Sequence, residues 1–182
     1  MQGVLIAGDV INQDWVQAMN NWDYWYQTQT DIYTCGSQGI MSSRVGFYWD
    51  RMQPTANGPL DTAELGRLDA VVNMITAKGM NTILDPHNYG EYKTKLVGVT
   101  NGWPNSMFAD FWSRLATHYK GNSKVIFGLM NEPIGGGMTP TTWCASSQTA
   151  INGIRATGAT NLILVPSTNW MHPVNFIQEN AS

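Results

Sequence analysis

The stretch Val125-Ile126-Phe127-Gly128-Leu129-Met130-Asn131-Glu132-Pro133 decides how this chain is read. Apolar and small residues run without a polar interruption and then end in an amide, a carboxylate and a proline. That pattern predicts a buried strand of the parallel type, covered on both faces. Glu132 then stands where the strand stops. A carboxylate at the C-terminal mouth of such a strand is poorly solvated on one side, a setting that suits a general acid. Pro133 has no N–H for a sheet ladder, so it fixes the exit of the chain there. Asn-Glu-Pro alone reads equally well as the plain opening of a loop, and the surrounding sequence separates the two readings.

Upstream of this strand, Gly121 closes a helix whose Met107, Phe108, Phe111, Trp112, Leu115 and Tyr119 form one apolar stripe, with Ser106 as its expected cap. Downstream, Gly135-Gly136-Gly137 reads as a linker, Pro140 opens a helix that reaches Ala156, and Gly158 stops it. A strand follows over residues 162–166 and leads into Asn169-Trp170-Met171-His172. Nearer the N-terminus the same alternation recurs. Residues 80–84 form a strand that runs into Asp85-Pro86-His87-Asn88-Tyr89-Gly90. Before it lies a helix with Asp61 as N-cap, Glu64 three residues on, a buried face of Leu65, Leu68, Val71, Val72 and Ile75, and Gly79 as its stop. Trp49-Asp50-Arg51-Met52-Gln53-Pro54 is expected to be loop, closed by Asn57-Gly58-Pro59. Residues 40–47 form a strand interrupted by Arg44, whose charge requires a partner if it is buried. A helix over residues 30–38 and a first strand at residues 4–7 complete the series.

Strands therefore recur roughly every 40 residues with a helix between each pair, which is a repeated βα unit. Such a series builds an open sheet or a closed barrel. Arg44, His87, Glu132 and Trp170 fall at the C-terminal ends of four strands, where barrels carry their sites, and this favours the α/β class of (β/α)8 TIM-barrel type. No Gly-rich phosphate turn of the doubly wound kind follows the first strand at Gly3 or Gly8. A complete barrel needs eight strands and about 250 residues. Residues 1–182 are accordingly expected to be one incomplete domain with about five of the eight βα units, and its open sheet edges are expected to promote self-association.

The composition fits this reading. The chain has 182 residues, 43% hydrophobic and 13% charged, with a net charge of -3; it is globular, and it lacks the basic stripe that nucleic acid would require. Eight tryptophans can fill core or offer flat faces to sugar rings. Cys35 and Cys144 lack metal-like spacing and are expected to be free thiols packed as small hydrophobes. No run of eighteen apolar residues is present to span a membrane. The N-terminal residues lack the basic start and long apolar run of a signal peptide.

At Asp85-Pro86-His87-Asn88-Tyr89-Gly90 and at Asn131-Glu132-Pro133 the sequence resembles the glycoside hydrolase family 5 cellulases, the endo-β-1,4-glucanases. The resemblance extends to Ser43-Arg44-Val45, to Trp49-Asp50-Arg51-Met52-Gln53-Pro54 and to Asn122-Ser123-Lys124-Val125-Ile126-Phe127, so it covers nearly the whole chain. It implies a glycosidase that cleaves β-1,4-glucosidic bonds in cellulose or a related β-glucan by a retaining mechanism, with two glutamates about 5 Å apart. Glu132 matches the acid/base, and Asn131 the neighbour that bonds the sugar's 2-hydroxyl. Arg44 matches the arginine that orients the nucleophile, and His87 a histidine lining the cleaved sugar's site. Asn88 and Tyr89 accompany His87 as substrate-binding or supporting residues. Trp170 lies near a cleft position, although Met171-His172 departs from the family pattern there. The family's nucleophile comes from a seventh strand and has no match in this chain; Glu179 stands elsewhere, and Asp85 reads as a structural carboxylate. The resemblance also implies no cofactor, no metal, and a secreted protein of polysaccharide catabolism. Two other readings remain open: a glucan-binding remnant without hydrolysis, and a mannanase-type family 5 hydrolase.

Overall fold

The computed structural model describes residues 28–169. The expected strand at residues 4–7, Trp170 and Glu179 lie outside the described residues. Within them, α1 (Gln29–Ser37) is followed by β1 (Ser42–Phe47), α2 (Trp49–Met52), α3 (Thr62–Ala77) and β2 (Asn81–Pro86). A hairpin of β3 (Glu91–Tyr92) and β4 (Lys95–Leu96) precedes α4 (Asn105–Tyr119), β5 (Val125–Gly128), α5 (Pro140–Ala156) and β6 (Ile163–Leu164).

The main sheet runs in the order β1-β2-β5-β6, and every pair is parallel. Each strand joins the same growing edge, with no reversal of order. Right-handed crossovers then carry the connecting helices to one face, as in a barrel wall, whereas a doubly wound sheet reverses its order and covers both faces. The structure is thus a section of a (β/α)8-type barrel.

The pleat separates two faces. Val45, Leu84 and Phe127 stand in register and are buried against Leu68, Val72 and Ile75 of α3 and Phe111, Trp112 and Leu115 of α4. Arg44, Ile83 and Ile126 stand in register on the opposite face and are only half-buried, and Leu164, opposite Gly128, is 40% exposed. The expectation that β5 is covered on both faces is therefore corrected among the described residues. Only the face towards the helices is closed.

Local chemistry places the helices. The Asp61 carboxylate accepts the Glu64 N–H at 2.8 Å, and the Thr139 hydroxyl accepts the Thr142 N–H at 3.1 Å ahead of Pro140. Gly79 and Gly158 stop α3 and α5 at φ +77 and +82. Three expectations change, and one element appears that the sequence did not announce. Residues 49–52 are a short helix rather than loop, because the Trp49 N–H is held by Asn88 Oδ1 and the Trp49 indole by Gln53. Helix α4 begins at Asn105 after Pro104, so Ser106 does not cap it. Residues 91–96 pair as a hairpin although no Asn-Gly or Asp-Gly marks a turn; Lys93 and Thr94 take φ 45 and 66 instead. Cys35 and Cys144 are free thiols, but Cys144 is exposed on α5 rather than packed.

The tryptophans Trp49, Trp112 and Trp143 are core residues rather than surface platforms. Two of them tie the site end of the sheet to the helices. The Trp112 indole donates to the Leu129 carbonyl at 3.2 Å and the Trp143 indole to the Pro166 carbonyl at 2.7 Å, so carbonyls just past β5 and β6 are satisfied inside the core.

Candidate active site

Strands β1, β2 and β5 end side by side, and their C-terminal ends bring together residues far apart in sequence. Arg44 projects from β1, and its Nη2 lies 2.8 Å from Asp85 Oδ2 at the end of β2. The same nitrogen donates to Asn131 Oδ1 at 2.5 Å, just beyond β5. His87 Nδ1 lies 3.0 Å from the Asp85 oxygen that Arg44 also contacts. Asp85 and Asn131 are buried, while a quarter of the Arg44 and His87 side chains is exposed. The cation and the imidazole are thus the water-facing rim of a network whose anion and amide lie inside. A buried carboxylate is tolerable when a cation and further hydrogen bonds meet it, and Arg44 supplies the cation. The need for a partner that the sequence placed on Arg44 is met by Asp85.

Glu132 follows Asn131 directly and is half-buried. Its backbone is left-handed, with φ 39, in a residue that carries a Cβ. Tyr89, in the loop after β2, is left-handed too, with φ 55. Both loops are stitched together. The Asn131 N–H donates to the Pro86 carbonyl at 2.9 Å and the Ile134 N–H to the Tyr89 carbonyl at 3.0 Å. The Tyr89 ring meets His87 edge-on, with centroids 5.3 Å apart. Burial pushes the Tyr89 hydroxyl above the ordinary tyrosine value, and the negative charges of Glu132 and Asp85 push it further, with Arg44 opposing.

Asn88 is turned away from this group. Its amide oxygen accepts the Trp49 N–H at 2.8 Å and its nitrogen donates to Asp50 at 2.8 Å, so both ends are engaged inside the protein. A cleft of about 180 Å³ opens beside the network, with Arg44 and Asp85 on one side and Met130, Leu164 and Val165 on the other. Apolar walls with a few convergent polar groups are what a small-molecule or sugar site offers. Among the described residues no group of three or more His, Cys, Asp or Glu side chains gathers as a metal site would, and no helix is long and apolar enough to cross a membrane.

Of the residues singled out from sequence, Arg44, His87, Tyr89, Asn131 and Glu132 meet at this end of the sheet, Asn88 supports it from behind, and Trp170 lies outside the described residues. Sequence reasoning named Asp85 only as a structural carboxylate and did not reveal that it joins Arg44 to His87. The signal was available in outline, since a strand arginine needs an anion and Asp85 ends the adjacent strand.

The family model for cellulase, glycosyl hydrolase family 5, matches residues 8–181. The chain is similar to the manganese dependent endoglucanase Eg5A of Phanerodontia chrysosporium, 38% identical over 138 residues, which is 74% of this chain and 35% of that protein. Its fold is similar to XacCel5A in complex with cellopentaose, with TM-score 0.87 and 39% identity over 93% of this chain and 53% of that one. It is also similar to endoglucanase Cel5A of Pseudomonas stutzeri in complex with cellobiose, with TM-score 0.90 and 28% identity over 99% of this chain and 54% of that one. The chain thus spans about a third of the first relative's length and about half of each solved chain.

Proposed function

Because the chain belongs to glycosyl hydrolase family 5, the cellulases, we propose that it takes part in retaining hydrolysis of β-1,4-glucosidic bonds in cellulose or a related β-glucan, and that residues 1–182 supply the acid/base half of the site. The observation that carries this reading is the Arg44–Asp85–His87 network with Asn131, gathered at the strand ends immediately before Glu132. Glu132 protonates the leaving glycosidic oxygen. Asn131 accepts from Arg44 through its Oδ1, which leaves its Nδ2 as a donor for the sugar's 2-hydroxyl. Arg44 and His87 line the site of the cleaved sugar, with Tyr89 beside them. The similar solved structures that hold cellopentaose and cellobiose support a β-glucan as substrate.

Retention needs a second carboxylate about 5 Å from the first. Among the described residues the other carboxylate in this network is Asp85, which is committed to Arg44 and His87. Asp85 is therefore not assigned as the nucleophile, which the family resemblance places on a seventh strand without a match in this chain. Without it no glycosyl-enzyme forms, and general acid catalysis alone contributes about 10²–10⁴-fold. Leu162, Leu164 and Val165, each at least 40% exposed around β6, support association through this edge of the sheet. A substrate as large as cellulose is met outside the cell, which supports secretion.

The test is calorimetric titration with cellopentaose alongside assays on soluble cellulose and on mannan. Binding of cellopentaose by the 182-residue chain without measurable turnover is expected, weakened by Arg44→Met. Turnover of soluble cellulose with retention by this chain alone, abolished by Glu132→Gln, would assign the nucleophile to a carboxylate within it. Binding or turnover of mannan in preference to cellulose would refute the substrate assignment.

A further inference from the structure

The loop after β2 approaches the loop after β5 closely, and the approach centres on Tyr89. Left-handed backbone is uncommon in residues with a Cβ and persists where the surroundings over-determine it. At Tyr89 and Glu132 the surroundings do so from both sides. The Asn131 N–H is tied to the Pro86 carbonyl at 2.9 Å and the Ile134 N–H to the Tyr89 carbonyl at 3.0 Å, so Glu132 is held between two backbone hydrogen bonds, one ending on the last residue of β2 and the other on the loop that follows it. Gly90 follows at φ +89, and a Cβ there would stand 3.0 Å from the Met138 side chain and 3.6 Å from that of Pro133. The backbone at Gly90 therefore runs close against the chain just past β5. The Tyr89 ring is braced edge-on against His87.

We propose that Tyr89 is a positioning residue for Glu132: its left-handed backbone presents the carbonyl that anchors Ile134, two residues past Glu132, and its ring is braced edge-on against His87. This deepens the reading of Glu132 as the acid/base and rests on it for its consequence, not for its geometry. A tyrosine that merely touched sugar would need neither the backbone conformation nor the hydrogen bond to Ile134. The rise of the Tyr89 phenol under the charge of Glu132 is consistent with the placement of the ring.

Two measurements on the 182-residue chain test it, and neither reads hydrolysis. Asparagine tolerates the left-handed region without supplying a ring, whereas a β-branched residue opposes it. Hydrogen exchange at the Ile134 amide should be unchanged in Tyr89→Asn and accelerated about tenfold or more in Tyr89→Ile, with the amides of α4 still protected. The phenol of Tyr89, followed by NMR, should titrate at lower pH in Glu132→Gln, because a nearby negative charge has been removed. Unchanged exchange in Tyr89→Ile, or a Tyr89 titration indifferent to Glu132→Gln, overturns the proposal. Should Tyr89→Ile fail to fold, the Glu132→Gln titration decides alone. If both results are as expected and no glucan binds, the positioning stands and the functional reading fails.

Discussion

Replacing Arg44 by methionine keeps most of the apolar stem against Ile83 and removes the charge. Asp85 is 3% exposed and then loses its cation, although His87 remains 3.0 Å away. Breaking a fully buried ion pair from one side costs about 3–5 kcal/mol, and an exposed pair contributes about 0–1 kcal/mol. The Arg44 side chain is 25% exposed, so its ionic part falls between these limits, at about 1–2 kcal/mol. Asn131 Oδ1 also loses its donor in a residue only 2% exposed, which adds about 1–3 kcal/mol of unmet desolvation. Water entering from the cleft recovers part of this. A loss of about 2–4 kcal/mol is therefore expected for Arg44→Met. Asp85→Asn, which relieves the carboxylate's own desolvation, should cost less. The coupling in the double-mutant cycle should be about 1–2 kcal/mol. Urea unfolding at unchanged m-value reads these quantities. The contact is direct and partly buried, so the coupling should survive ~1 M salt, where the screening length is ~3 Å. A coupling under about 0.5 kcal/mol, or an Arg44→Met loss no larger than that of a surface pair, would refute the idea that this network holds the site end of the sheet together.

Asn88→Ala should cost about 2–3 kcal/mol, because it strips partners from the buried Trp49 N–H and from Asp50; where the variant remains folded, its affinity for cellopentaose should be unchanged, and calorimetric titration at low temperature would show otherwise if Asn88 touched sugar. Stability should fall on the alkaline side. Burial, ahead of nearby charges, pushes Tyr48 and Tyr92 up to about 12 from an ordinary value of 10.0. In that window the unfolded chain releases protons that the folded chain retains, so the unfolding free energy decreases as pH rises from about 10 to about 12, by at most ~1.4 kcal/mol per pH unit for each group. Urea unfolding across pH 9–12 measures the slope, Tyr92→Phe should reduce it, and a flat profile would contradict the burial argument.

The helices were legible from local chemistry. A stripe at three- and four-residue spacing, Asp61 as a cap, Pro140 at a helix start, and Gly79 and Gly158 as stops lie within a few residues of the structure they specify. The centres of β1, β2 and β5 were legible for the same reason, as short apolar runs between turn signals, and the repeated βα unit indicated a barrel-type sheet. The requirement that Arg44 find an anion also belongs to the sequence, since it follows from the cost of burying a charge.

What the tertiary structure decided depends on contacts roughly 40 or more residues apart along the chain. The turn of helix at residues 49–52 exists because Asn88 holds the Trp49 N–H, and no property of Trp49-Asp50-Arg51-Met52 itself announces it. The hairpin at residues 91–96 turns through Lys93 and Thr94, neither of which advertises a left-handed conformation. Asn88 sits between His87 and Tyr89 in a motif that points to sugar, yet its side chain serves Trp49 and Asp50. The backbone at Tyr89 and Glu132 is likewise imposed from outside, by hydrogen bonds from the chain past β5 to the end of β2 and to the loop after it. The amino-acid sequence by itself determined the main strands and the long helices and which polar residues gather at the strand ends; the short helix, the hairpin and the direction in which each of those side chains points were decided by tertiary structure, because they depend on hydrogen bonds whose two partners become neighbours only when the strands are assembled.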